Sequence, residues 1–376
     1  DREMVRERTK PLLARSPLGW ALVVCASLLY PIDAAAPRVR APQQEQSPDI
    51  SKCTALGVEP ATNCAEHWPR HEEPRIVLTA LVKDTVPADL VRLIEYHLLL
   101  GVDAAIIFDN SCPDENDPDT LEAALAPYAE LGIVVFRKEY RCIEAIDIIP
   151  EKYPIGGSGI AVQLMVKTPE LHPKNGTLIL AIDDDEYIVM GDPQTTLLDL
   201  RHELIHAEDP SIAMKWHMFG SSSHTCQPSG SVVRNFVHRA KTEAEMTESE
   251  KQEAMAEAAE FHLNPPFGNH SQKFAVIWQG PEKTALCDTH NCGRAPPVNP
   301  NSNNTAGPSP PSNFAYVAHY AYQSEQHWDA KKSRGRTTKG ARGESREGAV
   351  PTRYSEVFDD SVRVAHEERI DNVSLP

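Results

Sequence analysis

Apolar runs alternate with segments of helical periodicity between residues 76 and 137, and this alternation limits the fold more than any other feature. Strands are predicted at residues 76–82, 104–108 and 133–137, and helices at residues 88–100 and 120–131. One face of the first helix is formed by Leu90, Leu93, Ile94 and His97. Strands that alternate with helices predict a parallel-type α/β sheet, in which ligands bind beyond the carboxyl ends of the strands.

An acidic cluster follows a later apolar run. Residues 178–182 lead directly into Asp183, Asp184, Asp185 and Glu186. Because burial of unpaired ionised groups is costly, such carboxylates must be solvated, protonated or neutralised by a cation. Hard divalent ions suit oxygen-rich sites and take few carboxylates when phosphate oxygens complete their coordination. The cluster predicts a Mg²⁺ or Mn²⁺ site and a nucleotide or pyrophosphate substrate; the alternative is a solvated acidic turn between two strands.

Two other predicted strand ends carry polar residues. They are Lys83 and Asp84 after the first strand, and Asp109, Asn110, Ser111 and Asp114 after the second. A carboxylate that leaves a strand into a turn of small polar residues can bind a ribose while the N–H groups of the turn approach phosphate. The alternative is an ordinary Asx-type turn. Together with the acidic cluster, these residues are predicted to form one polar rim.

The charge balance argues against a nucleic-acid partner. Asp and Glu number 54 against 37 Lys and Arg, and no basic stripe with interleaved aromatic residues is present in the sequence. An acidic protein that handles phosphates needs a metal ion or local basic side chains. This agrees with the metal site predicted from the acidic cluster.

The first 33 residues are typical of a secretory-pathway signal. A basic segment, residues 1–16, precedes an apolar stretch that we interpret as a membrane anchor at residues 17–33, with a cleaved signal as the alternative. Residues 34–72 have the composition of a stem, and residues 73–337 that of a folded domain. Exposed insertions are predicted near residues 241–262 and 296–313, and a flexible tail at residues 338–376.

A lumenal location fits two further features. Four glycosylation sequons occur, at Asn175, Asn269, Asn303 and Asn372, and seven cysteines follow Cys25. Disulfides are therefore expected, but the spacing leaves their pairing open, and an odd number implies a free or intermolecular thiol. A zinc site is the weaker alternative because no Cys-x-x-Cys pair occurs.

Several blocks in this order make the chain similar to glycosyltransferase family 92. They are Glu-Tyr-His at 95–97, Gly-Val-Asp at 101–103, Phe-Asp-Asn-Ser at 108–111, Ile-Asp-Asp-Asp-Glu-Tyr-Ile-Val at 182–189, Trp-His-Met-Phe-Gly-Ser-Ser-Ser-His at 216–224, His-Tyr-Ala-Tyr-Gln-Ser-Glu at 319–325 and Lys-Ser-Arg-Gly at 332–335. The chain departs from the family at Lys83-Asp84, where Asn-Glu is usual, and at Asp184, where Ile is usual. The resemblance covers residues 75–336 and implies a GT-A nucleotide-sugar fold, with a mixed, largely parallel central sheet flanked by helices.

The resemblance also implies roles for particular residues. Asp183 and Asp185 match the Asp-x-Asp motif, which contacts the donor ribose and binds a metal, with Mn²⁺ favoured and Mg²⁺ as the alternative. The expected third metal ligand is a histidine, His290 first and His319 second. The donor site would include Lys83, Asp84, Asp109, Asn110, Ser111, Asp114 and Asp183, and Lys332 and Arg334 would close over the donor phosphates. Ordinary surface charge is the alternative for those two basic residues.

The loop at residues 219–224 combines a tight backbone, hydroxyls and an imidazole, which suit sugar hydroxyls. Acceptor binding is therefore expected at Phe219, Gly220, Ser221 and Ser222; the alternative is a solvated loop that His224 caps. Glu186 and His224 are the two candidates for the general base because they flank the expected donor site.

The predicted function is an inverting, metal-dependent transfer of a hexose, with galactose from UDP-galactose as the expected donor, to a glycan or polysaccharide acceptor. The resemblance implies a single-pass Golgi enzyme with a lumenal catalytic domain, held to the membrane by its N-terminal anchor. One alternative is a metal-dependent phosphohydrolase or nucleotidyltransferase, which usually requires a second acidic cluster. Another is a non-catalytic lumenal module that binds glycan or Ca²⁺.

Overall fold

The computed structural model describes residues 73–112, 120–142, 157–207, 210–260, 272–284, 314–334 and 352–372. The strands in these ranges are β1 (Ile76–Val82), β2 (Ala104–Asp109), β3 (Val134–Arg137), β4 (Leu178–Ala181), β5 (Glu186–Met190), β6 (Ser211–Met218), β7 (His238–Arg239), β8 (Gln272–Ile277), β9 (Ala315–His319) and β10 (Val357–Phe358). The helices are α1 (Pro87–Leu99), α2 (Thr120–Glu130), α3 (Gly157–Lys167), α4 (Leu197–His206), α5 (Val232–Asn235), α6 (Glu248–Glu260), α7 (Pro281–Thr284), α8 (Glu325–Arg334) and α9 (Ser361–Asn372).

Eight strands form one mixed sheet in the order β3-β2-β1-β4-β8-β6-β9-β5. The pairs β1–β2, β2–β3, β1–β4 and β6–β9 are parallel, and β4–β8, β6–β8 and β5–β9 are antiparallel. A second, two-stranded sheet joins β10 to β7. The predicted α/β class, with a large mixed sheet flanked by helices, is confirmed.

The central strands are buried on both faces, which explains their uninterrupted apolar sequences. Along β1, Ile76, Leu78, Ala80 and Val82 belong to a core shared with α1 and α2. Val77 and Leu81 point to the opposite core, which includes Ile160 and Leu164 of α3. The predicted apolar face of α1 is buried at Leu90, Leu93, Ile94 and His97. This helix ends before Gly101, whose φ of 102° lies in the region that favours glycine.

Residues 352–372, which the composition assigns to a flexible tail, contain a 3-10 turn (Thr352–Ser355), β10 and α9. Few apolar residues are available there, but Tyr354 and Val362 are buried. Arg239 of β7 also pairs with Asp359, with the two side chains 2.5 Å apart. A small number of well-placed anchors therefore fixes a segment whose average hydrophobicity is low.

The predicted insertion near residues 241–262 contains α6. The helix begins with a capping box, in which Thr247 and Glu250 each accept a hydrogen bond from the backbone N–H of the other. Most side chains of residues 248–257 are exposed, although Ala254 is buried. The second predicted insertion, residues 296–313, lies outside the described residues.

The predicted basic segment, anchor and stem, residues 1–72, also lie outside the described residues. Across the ranges that are described, no helix has both the length and the apolar character needed to span a membrane. Cys112 and Cys142 form a disulfide, which supplies one of the pairings that the sequence left open. Among the sequons, Asn175 lies in an exposed turn before β4, and Asn372 is the last residue of α9.

Candidate functional site

The carboxyl ends of β2, β1 and β4 lie side by side at one edge of the sheet. These strands are adjacent and parallel, with Val82 of β1 paired with Asp109 of β2, and Thr79 of β1 paired with Ala181 of β4. The residues that follow each strand therefore leave the sheet in the same direction. This arrangement brings the three polar segments identified in the sequence to one rim.

Hydrogen bonds from the loop after β1 join it to both neighbouring segments. The backbone N–H of Asp84 donates to Ser111 Oγ at 2.8 Å, and Thr85 Oγ1 donates to Asp184 Oδ2. Asp84 is exposed and adopts a φ of 48°, while Lys83 is half-buried. The rim is thus a connected structure in which the loop after β1 is central.

Asp109 and Asn110 support the rim from within. Asp109 is buried, and its carboxylate accepts from Arg141 at 2.5 Å and from the backbone N–H of Ser111 at 2.9 Å. The Asn110 side chain donates to the carbonyl of Tyr140. These contacts and the nearby disulfide fasten residues 109–112 to residues 140–142. Asp109 therefore holds the loop as part of an ion pair, and Asp114 lies outside the described residues.

The acidic cluster forms the tight turn between β4 and β5. Glu186 folds back so that its Oε2 accepts from the backbone N–H of Asp183 at 2.8 Å, and its own N–H donates to the Asp183 carbonyl at 3.3 Å. The carbonyl of Asp185 accepts from the N–H of Tyr320, directly after β9. Asp185 and Glu186 are buried as a result, whereas a third of the Asp183 side chain is exposed.

Lys273 of β8 supplies a buried positive charge to this turn. Its Nζ lies 2.7 Å from Asp183 Oδ2 and 3.3 Å from Glu186 Oε2, and 5.6 Å from the centre of the Trp216 ring. Burial alone would lower the pKa of Lys273, but the two carboxylates outweigh that effect and raise it. Sequence reasoning missed this residue; the available signal was a single lysine within the apolar strand at residues 272–277.

Asp185 has a positively charged partner of its own. Lys331 of α8 contacts Asp185 Oδ2, and His319 Nε2 lies 3.3 Å from Asp185 Oδ1. Burial opposes ionisation of Asp185, but these two neighbours outweigh it and hold the pKa of the carboxyl well below its usual range. Lys331 was also missed by sequence reasoning. Its signal was its position three residues after Trp328, which is buried on the same helix.

Glu186 and His319 contribute polar atoms that face each other without hydrogen bonds. Glu186 Oε1 and His319 Nδ1 are 3.9 Å apart, both are buried, and neither has a hydrogen-bond partner among the described residues. Burial raises the pKa of Glu186 to about 7, against the opposing effect of Lys273. Such buried, unsatisfied acceptors are unusual in native proteins and point to an additional ligand.

Asp185, Glu186 and His319 form a group that could hold a metal ion, since each offers one ligand atom and these atoms lie within 4.8 Å of one another. A carboxylate and an imidazole together suit ions such as Mn²⁺ and Zn²⁺ as well as Mg²⁺. His319 was the second of the two histidines predicted from the sequence, and His290 lies outside the described residues. Glu186 joins this group, although the sequence suggested it as a base, while Asp183 is paired with Lys273.

Lys332 and Arg334 occupy the last turn of α8, beside Lys331. The structure describes the backbone of these two residues as helical. The contact that is described there comes from Lys331, one position before the predicted lysine.

The loop at residues 219–224 uses most of its polar groups to hold its own fold. Ser222 Oγ accepts from the N–H of His238, and the N–H of Ser222 donates to Ser355. His224 Nε2 donates to the carbonyl of Asn235 at 3.1 Å, and the N–H of His224 donates to the Ser221 carbonyl at 2.8 Å. His224 therefore caps the loop, which is the alternative the sequence had left open.

Phe219 and Gly220 pack this loop against its neighbours. Phe219 is buried and stacks on Tyr320, with ring centres 4.7 Å apart. A Cβ atom on Gly220 would lie 2.4 Å from the carbonyl oxygen of Tyr354 and 2.4 Å from Ser355 Oγ. Only glycine fits at this point, and the reason is close backbone packing.

Comparison with known proteins adds no family assignment. A scan of the chain against protein-family models and a search of curated proteins found no match. The functional interpretation therefore depends on the geometry of the rim and the metal-binding group, and on the motifs quoted from the sequence.

Proposed function

We propose that this chain is a divalent-metal-dependent glycosyltransferase with a GT-A-type domain. It transfers a hexose with inversion, with UDP-galactose as the first candidate donor, to a glycan or polysaccharide acceptor in the secretory pathway. The chain would reach that compartment, and the Golgi membrane, through its N-terminal segment. The metal is Mn²⁺ in this proposal, with Mg²⁺ as the second choice.

One observation carries the proposal. Three parallel strand ends bring Asp84, Ser111 and Asp184 into one hydrogen-bonded rim, and Asp185 with its metal-binding group lies next to it. Crevices at the carboxyl ends of parallel strands are where open α/β sheets bind nucleotides. A rim that combines loop N–H groups, hydroxyls and a metal group suits a nucleoside diphosphate.

The residues present fit a divalent cation. Two buried acceptor atoms, Glu186 Oε1 and His319 Nδ1, have no hydrogen-bond partner among the described residues, and Asp185 provides a charged oxygen nearby. When bound there, the cation would neutralise negative charge that develops on the departing diphosphate. Lys273 holds the Asp183–Glu186 turn from the buried side through its contacts with both carboxylates. Asp183, which is partly exposed, remains available to a donor ribose.

The acceptor would bind on the side of the rim nearest the loop at residues 219–224. This loop is joined to the metal-binding group through the N–H of Phe219, which donates to the carbonyl of His319 at 2.9 Å. Ser223 on this loop and Thr225 directly after it are exposed and offer hydroxyls to a sugar. We assign His224 the role of positioning this loop, because its Nε2 donates to a backbone carbonyl.

A second candidate, a non-catalytic glycan-binding module, is favoured by one observation. Lys273 and Lys331 already balance the charges of Asp183 and Asp185, so these carboxylates need no metal for their own stability. A two-metal phosphohydrolase is less well supported, since the described ranges contain one metal-binding group only.

The proposal is tested by donor turnover. The purified full chain is incubated with a panel of nucleotide sugars, with Mn²⁺ or with chelator, and released nucleoside diphosphate is measured. We expect release from one uridine donor, loss with chelator, and loss of at least about a hundredfold in Asp185→Asn, the size of effect that follows removal of a group that stabilises transition-state charge.

Asp192→Asn is the matched control, since Asp192 is an exposed aspartate whose side chain accepts a local hydrogen bond from the backbone N–H of Gln194. This variant should retain full turnover. Glycan binding without turnover of any donor would overturn the transferase proposal in favour of the binding module. Turnover that persists in Asp185→Asn would show that the metal-binding group is not the reactive site.

A further inference from the structure

The two carboxylate oxygens of Asp185 both carry partners. Oδ1 faces His319 Nε2 at 3.3 Å, and Oδ2 contacts Lys331 Nζ. The exposed fractions of the Asp185 and Lys331 side chains are 8% and 11%, so water screens this ion pair poorly. Any cation that binds Asp185 must take an oxygen from one of these partners or share it.

These two partners differ in what they can do when a metal arrives. An imidazole nitrogen has a lone pair and can become a ligand itself, whereas an ammonium group has none. His319 can therefore stay beside Asp185 in a metal complex. Lys331 cannot coordinate the metal, and its charge also repels a divalent cation at contact distance.

The neighbouring carboxylates of Asp183 and Glu186 have a cation of their own. Lys273 contacts both Asp183 and Glu186 from the buried side of the turn. Lys331 instead comes from α8, in which Trp328 is buried one turn earlier. Ser324, directly before this helix, accepts a hydrogen bond at its Oγ from the N–H of His327. Among the described contacts, the sheet thus provides Lys273 to Asp183 and Glu186, and α8 provides Lys331 to Asp185.

We propose that Lys331 is a built-in counter-cation that competes with a divalent metal for Asp185. It acts through Asp185 and is a positioning residue: it holds this carboxylate in place, and it leaves Oδ2 when a metal binds. The inference rests on the metal site of the proposed function and deepens it, because it assigns the control of metal affinity to a residue of α8. The native chain then binds metal more weakly than its ligands alone would allow.

Calorimetric titration with Mn²⁺ alone, without nucleotide, tests this role in the full chain. Lys331→Met removes the charge and keeps an apolar stem of similar length, so the metal no longer displaces a competitor. We expect its Kd for Mn²⁺ to fall at least about tenfold, which corresponds to ~1.4 kcal/mol. Lys331→Arg keeps a cation and should bind Mn²⁺ within a few-fold of the native chain.

Two controls identify the site and the cause. Lys251→Met removes a lysine from α6 whose partner is the exposed Glu248, and it should leave the Kd unchanged. Asp185→Asn in the Lys331→Met background should abolish the tight binding. A role for Lys331 in folding alone would weaken metal binding or leave it unchanged; it would not tighten it.

An unchanged or higher Kd in Lys331→Met overturns the proposal, and so does the absence of Mn²⁺ binding in both proteins. If Lys331→Met does not fold, as judged by circular dichroism, Lys331→Gln takes its place with the same expectations. The assay contains no sugar donor, so its result is separate from the test of the proposed function. Tighter Mn²⁺ binding by Lys331→Met with no sugar transfer would support the role of Lys331 and overturn the transferase proposal. Sugar transfer with unchanged Mn²⁺ affinity in Lys331→Met would support the transferase proposal and overturn the role of Lys331.

Discussion

His97 Nε2 accepts a hydrogen bond from the backbone N–H of Ile188 at 3.2 Å, and this contact covers the outer edge of β5. Among the described strands, β5 is the last of the eight-stranded sheet and pairs with β9, so its other side presents backbone groups to α1. Tyr96 Oη donates to the carbonyl of Ile188 at 2.9 Å, which satisfies the second backbone group of the same residue. Adjacent residues of α1 thus protect the strand that begins at Glu186.

Stability should fall in mild acid because of His97. Its Nδ1–H donates to the carbonyl of Leu93 at 2.7 Å while its Nε2 accepts from Ile188, so the folded state requires the neutral ring, and burial lowers its pKa to about 4. A depressed histidine pKa means that this contribution is complete above pH ~6.5 and is lost as the pH falls toward 4. Urea unfolding between pH 4 and 7.5 should show a loss of roughly 3 kcal/mol from this group.

His97→Gln should reduce that pH dependence, at the cost of lower stability at pH 7.5. His206→Gln is the control, since His206 is exposed at the end of α4. An equal slope in the native chain and in His97→Gln would contradict the assignment.

Glu95 should give a pH dependence of the opposite sign. The side chain is buried and accepts a hydrogen bond from Tyr128 Oη, and burial raises its pKa to about 7. Because the folded pKa lies above the unfolded value of ~4.5, the folded state favours the protonated acid, and stability is lost as the pH rises from 4.5 to 7. Glu95→Gln keeps an acceptor for Tyr128 without the charge.

We therefore expect Glu95→Gln to be more stable than the native chain at pH 8 by up to roughly 3 kcal/mol, and to lose this advantage near pH 4.5. Chemical denaturation at both pH values measures this difference. Glu130→Gln, at an exposed position of α2, serves as the comparison and should have no effect at either pH.

Gly220→Ala should loosen the packing of the C-terminal segment. The added Cβ would meet the Tyr354 carbonyl and Ser355 Oγ at 2.4 Å, so either the loop or the 3-10 turn must shift. Overpacking of this kind costs about 1–3 kcal/mol. We expect a lower Tm and faster proteolysis of residues 352–372. An unchanged Tm would show that the loop at residues 219–224 and the 3-10 turn can move apart without loss of stability.

Arg239→Met should destabilise the fold strongly. The guanidinium is largely buried and bonds to Asp359 at 2.5 Å and to Glu245 at 2.7 Å. Its removal leaves Asp359 partly buried without its cation, a change that costs about 3 kcal/mol in comparable buried pairs. Thermal unfolding measures the loss.

Arg363→Met is the control for this prediction. It breaks half-exposed pairs with Asp360 and Glu367 within α9, and it should cost less than about 1 kcal/mol.

Local patterns of the sequence were sufficient for the elements near the rim. The strand predicted at residues 76–82 is β1, and the four residues predicted for the apolar face of α1 are buried. Uninterrupted apolar runs, and apolar residues that recur every 3.6 positions, indicate which side chains are buried. Both patterns can be read from residues that are close together in the chain. The same reasoning identified the acidic turn at residues 183–186 and placed it at a strand end.

The tail shows where composition misleads. Low average hydrophobicity predicts flexibility from residue 338, yet Tyr354 stacks on Tyr322 with ring centres 4.4 Å apart and Asp359 pairs with Arg239. Each contact joins residues that are distant in sequence. No local average can detect partners of this kind.

By itself, the sequence determined the α/β class, the first strands and helices, and the carboxylates of the candidate site. Only the tertiary structure decided how those carboxylates are neutralised: Lys273 reaches Asp183 across 90 residues of chain, and Lys331 reaches Asp185 across 146. It also brought a ligand atom of His319 within 4.8 Å of those of Asp185 and Glu186. The physical reason is that charges interact through space over a few ångströms, so their partners depend on the order of strands in the sheet and not on spacing along the chain.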